Sequence, residues 1–69
     1  MTDSKALRAL IKERGLKLKY VAAQMNLSPY GLQRKIDNLS EFNTNEVTLL
    51  CKAIGGLSIK DQHRIFFAK

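Results

Sequence analysis

The chain has 69 residues, 45% of them hydrophobic, with two tyrosines, three phenylalanines, no tryptophan and a single cysteine, Cys51. That composition bounds it to one small globular domain with a modest core, and it excludes an intrachain disulfide, a cysteine-rich zinc site and a membrane span of ~20 apolar residues. The net charge of +6 favours a polyanionic partner, and most of the excess, +4, falls in residues 1–20.

In chain order, Leu7, Leu10 and Ile11 recur at helical spacing between a Thr-Asp-Ser start and Gly15, which predicts a first helix over about 4–14. Lys5, Arg8 and Lys12 fall on its opposite face and read as solvated charge. Val21, Ala22 and Met25 mark a short second helix of about 17–25, ended by Asn26, a residue that tolerates the left-handed conformation. Ser28 is a good N-cap and Pro29 suits the first helical turn, so a third helix is expected over about 29–37, with Leu32 and Ile36 inward and a stop near Asn38. Tyr30 and Gly31 do little for that helix, which points to another use for them. Residues 38–44 read as a loop anchored by Leu39 and Phe42, with Thr44 as the next cap. Val47, Leu50, Cys51 and Ile54 give the clearest amphipathic pattern, closed by Gly55-Gly56. A fifth helix begins at Ser58, with Asp61 three residues on, and runs into Ile65-Phe66-Phe67. No segment alternates with period two. The expected fold is all-α, a compact five-helix single domain over 1–69.

Only Asn26, Leu27 and the Ser28 cap separate the second and third helices. That is too short for an antiparallel hairpin and fits a helix-turn-helix at about residues 17–37. Ala22 supports it, because a small residue at the crossing lets two backbones approach.

The stretch "GLKLKYVAAQMNLSPYGLQRKIDNLSEFNTNEVTLLCKAIGG" resembles the DNA-binding domains of the phage repressor and Cro superfamily, the lambda-repressor-like or XRE-type helix-turn-helix fold. The likeness covers about residues 5 to 67. It implies that the third helix lies in the major groove while the second crosses the backbone. Ser28, Pro29, Tyr30, Gln33 and Arg34 occupy the positions that read bases in that family: Arg34 matched to guanine O6/N7, Gln33 to adenine N6/N7, and Pro29 to a thymine methyl. Lys17, Lys19, Lys35 and Asn43 fall at phosphate-contacting positions, and Gly31 would let the third helix approach the groove or the second helix closely. Three positions depart from the family pattern. Asn26 stands where glycine is usual, Leu18 where a polar residue is usual, and Leu39 where lysine or arginine is common.

No nucleophile elbow, glycine-rich phosphate loop or carboxylate cluster is present, so a non-enzyme with no cofactor, metal or small-molecule substrate is expected. Cys51 lies on an apolar stripe and reads as a buried thiol; His63 reads as a surface residue. The start "MTDSKALRAL" has no signal-peptide core, consistent with a cytoplasmic protein, and the length leaves no room for a second, ligand-binding domain. Two functions remain open. One is a small regulator that occupies a double-stranded DNA operator in a phage or prophage switch. The other is an antirepressor or modulator of repression that uses the same fold to bind a phage repressor protein, which Leu18, Leu39 and Pro29 favour. Ile59, Ile65, Phe66 and Phe67 exceed what a short helix can bury, so Phe66 or Phe67 is expected to serve a homodimer or another protein contact.

Overall fold

A computed structural model describes residues 1–67, which fold into five helices. These are α1 (Ser4–Glu13), α2 (Leu18–Gln24), α3 (Pro29–Ile36), α4 (Thr44–Ala53) and α5 (Ile59–Phe66), and the described residues contain no strand. No helix is long and apolar enough to cross a membrane among them. The fold is all-α, as the periodicity predicts, and each of the first three helices ends within a residue of its expected limit.

The first four helices stop in the same way. Gly15, Asn26, Asn38 and Gly55 all have positive φ, at 70°, 58°, 64° and 90°. After each one, the next residue's amide donates back to the last helical turn: Leu16 to Ile11, Leu27 to Ala22, Leu39 to Arg34 and Gly56 to Cys51. These are Schellman closures, which satisfy the orphan carbonyls of a helix end and need glycine or asparagine at the left-handed position.

Helix starts are as well defined. Asp3, Ser28, Asn43 and Ser58 each accept a hydrogen bond from the amide three residues on. The cap of α4 is therefore Asn43 and not Thr44: the Asn43 side chain accepts from the Glu46 amide at 2.8 Å while Glu46 accepts from the Asn43 amide at 3.0 Å. This reciprocal box satisfies two orphan donors at once.

The core is built from one face of every helix. Leu7, Val21, Leu32, Ile36, Leu50, Ile54 and Ile65 are its fully enclosed large side chains, with Ala22 fully buried between them. α2 packs on α3 and α4, and α1 packs on α3 and α5. Phe42 anchors the α3–α4 loop, meeting Phe66 edge to face with ring centroids 5.6 Å apart. Leu39 does not anchor it: its amide closes the α3 end and its side chain is left 66% exposed. Phe66 is likewise core and not surface, at 5% exposure, because Ile65 and Phe66 form the inward pair of α5 and leave Ile59 and Phe67 outside.

The N-terminal residues tie the end of α3 to α5. Thr2 and the Asn38 side chain exchange two hydrogen bonds, of 2.8 and 2.9 Å, and the Ser4 hydroxyl donates to the Ile36 carbonyl. The Asp3 amide donates to the Ile65 carbonyl at 2.7 Å. Both ends of α3 are thus held, one by its own cap and one by the chain start.

Candidate nucleic-acid interface

The α2–α3 unit is closed by local chemistry. Asn26 turns the chain, Leu27 packs partly buried against the core, and Ser28 starts α3 by accepting from the Gly31 amide at 3.0 Å. Pro29 then occupies the first turn, where its lack of an N–H leaves nothing unsatisfied. With Leu32 and Ile36 enclosed in the core, the helical period leaves Pro29, Tyr30 and Gln33 exposed and Arg34 half-buried.

Ser28, Pro29 and Gln33 are exposed, Tyr30 is 69% exposed, and Arg34 is half-buried. The Arg34 guanidinium carbon lies 5.9 Å from the Tyr30 ring centroid, within cation–π range. The structure therefore places Pro29, Tyr30, Gln33 and Arg34 in the first two turns of α3, with Ser28 at its N-cap, all of them exposed except half-buried Arg34. A Cβ on Gly31 would meet only the Ser28 hydroxyl, at 3.1 Å, and no atom of α2. Of the two uses expected for Gly31, close approach to the second helix is thus ruled out, and close approach to a groove is left.

Lys17 and Lys19 are exposed at the start of α2, where Lys17 takes the N-cap position without a side-chain capping bond. Both ammonium groups suit a phosphate backbone. Lys35 is placed differently. Its ammonium lies 3.0 Å from Glu46 and donates to the Glu41 carbonyl at 2.9 Å, with only 19% of the side chain exposed. It joins α3 to the loop and to α4 and is not presented outward. Burial works to raise the Glu46 carboxyl, but the Asn43 amide and the Lys35 ammonium outweigh it and hold the group below its ordinary value. Asn43 is exposed but its side-chain oxygen is used by the cap, which leaves only its –NH2 end to donate outward.

Two residues escaped the sequence reading. Arg8 is not simply solvated: its Nη2 bridges both carboxylate oxygens of Asp37, at 3.0 and 2.9 Å, joining α1 to the C-cap of α3. Tyr20 is 48% exposed beside Lys19; the inward set Val21, Ala22 and Met25 was the available signal, since it leaves position 20 outside. Cys51 is buried, and burial pushes its thiol up, which keeps it protonated. His63 is exposed and lies against Phe67, with ring centroids 5.6 Å apart. No group of three or more histidine, cysteine or acidic residues is placed to hold a metal among the described residues. Compared with models of known families, with curated proteins and with solved structures, the chain matches none of them.

Proposed function

We propose that this protein is a small sequence-specific DNA-binding transcriptional regulator of the repressor and Cro type, which acts by occupying a double-stranded operator as part of a phage or prophage genetic switch. The observation that carries this reading is the capped helix α3, which shows Pro29, Tyr30, Gln33 and Arg34 outward while Leu32 and Ile36 fix its other face in the core. Exposed Lys17 and Lys19 at the start of α2, and a net charge of +6, support contact with a polyanion. In this reading the protein is not an enzyme, works in the cytoplasm, and spans two half-sites about 34 Å apart as a homodimer.

One observation favours a second reading, in which the same face binds a phage repressor protein. Leu39, 66% exposed just past the Asp37–Asn38 end of α3, puts an aliphatic side chain where a DNA-facing helix gains more from a cation. A gel-shift of the purified protein on DNA flanking its own gene, with and without the repressor encoded beside it, separates the two. A shift by the protein alone supports the operator reading; no shift alone, with loss of the repressor's own shift, supports the other.

A further inference from the structure

Tyr30 and Arg34 are four residues apart on α3 and so stand one above the other on the same side of the helix. The guanidinium carbon lies 5.9 Å from the ring centroid, and the ring itself is 69% exposed. Pro29, exposed in the same first turn, offers no N–H to a base or a phosphate. Gly31 adds no side chain between them. The leading turn of α3 is therefore mainly an apolar, aromatic surface with one cation laid beside it, and exposed Gln33 follows in the next turn.

Resting on the reading of α3 as a major-groove helix, we propose that Tyr30 and Arg34 together recognise a pyrimidine–guanine step whose pyrimidine carries a 5-methyl group, thymine or 5-methylcytosine. Arg34 supplies the paired hydrogen bonds to guanine O6 and N7. A guanidinium lying in the plane of that guanine turns its flat faces toward the neighbouring base steps, each about 3.4 Å away along the strand. The right-handed twist of the duplex sets the methyl group of the 5′ pyrimidine beside the same groove edge. A methyl group there fills the space bordered by the guanidinium plane and the Tyr30 ring. Cytosine or uracil at that position leaves the apolar surface hydrated. Tyr30 is then the residue that sets specificity at the pyrimidine, while Arg34 sets it at the guanine.

The test is selection from a randomised duplex library, followed by titration of the enriched duplex remade with thymine, uracil, cytosine or 5-methylcytosine 5′ of the key guanine. Thymine and 5-methylcytosine should bind alike, and uracil and cytosine about three- to five-fold more weakly, the worth of one buried methyl group. Tyr30→Ser, a change at an exposed side chain whose fold is checked by circular dichroism, should abolish the difference between thymine and uracil and keep the preference for guanine. Equal binding of all four pyrimidines by the unaltered protein, or a methyl effect that survives in Tyr30→Ser, overturns the proposal and leaves the operator reading intact. Failure to enrich any duplex overturns both.

Discussion

The Arg8 guanidinium closes onto Asp37 with one nitrogen 2.9 and 3.0 Å from the two carboxylate oxygens, joining residues 29 apart in sequence. Asp37 is the C-cap of α3, where a negative charge meets the negative end of the helix dipole. On a helix that faces DNA it would also repel phosphate. Arg8 relieves both effects without itself lying on α3.

This relationship is testable by a double-mutant cycle. Because both side chains are well exposed, at 39% and 45%, unfolding in denaturant should give a coupling of only about 0.2–1 kcal/mol. Duplex binding should respond with a sign that a purely structural role would not give: Arg8→Ala weakens binding, and Asp37→Asn in the same chain restores it. Equal loss in Arg8→Ala and in the double variant would show Arg8 to be an independent contact.

Arg34 and Lys19 should differ in kind. Arg34→Ala is expected to cost about 1–3 kcal/mol on a selected duplex and to relax preference at one base position, whereas Lys19→Ala should weaken all sequences alike and lower the salt slope by about one. Titrations at several salt concentrations on matched and scrambled duplexes check both. Identical, sequence-blind losses would remove Arg34 from the readout set.

The Lys35–Glu46–Asn43 junction gives stability a pH dependence of known sign. Glu46 is held below its ordinary value in the folded chain, so its contribution is complete above that ordinary value and is lost as the pH falls through the lower folded value. Urea unfolding between neutral and acid pH should show the wild type losing more stability than Glu46→Gln. Parallel curves would contradict this. Asn43→Ala should remove about 1 kcal/mol at neutral pH through loss of the cap.

Phe66 and Phe67 should separate cleanly although they are neighbours. Phe66→Ala, which empties the partner of Phe42, should destabilise by about 3–5 kcal/mol, while Phe67, 62% exposed, should tolerate Phe67→Ser in the same unfolding assay. If Phe67 serves self-association, sedimentation of Phe67→Ser should show a lower mass than wild type at equal concentration. An unchanged mass would exclude that role.

What was legible before the structure was local chemistry. Glycine or asparagine at a helix end, serine followed by proline, and apolar residues three and four apart have few other uses, so Gly15, Asn26, Ser28 and Leu32 could each be placed from neighbours in sequence. Asn43 was legible too, but Thr44 hid it; Glu46 lies three residues after Asn43, which is the capping-box spacing. Leu39 could not be placed by hydrophobicity, because its backbone amide, not its side chain, is what the α3 end requires. Lys35 and Arg8 depend on partners 11 and 29 residues away, and no periodicity reports which surface cation finds a carboxylate across the fold. The same limit applies to Phe66 and Phe67, adjacent residues whose division between core and surface is set by how α5 rotates against α1.

Contact between the outward face of α3 and duplex DNA is read out by following backbone amide resonances while a selected duplex is added. The largest shifts are expected at Ser28, Tyr30, Gln33 and Arg34, with Lys17 and Lys19 next, and little change on the outer side of α5 around Ile59 and Lys60. Shifts concentrated on α5 with α3 unmoved, or a spectrum indifferent to every duplex at low salt, would contradict it.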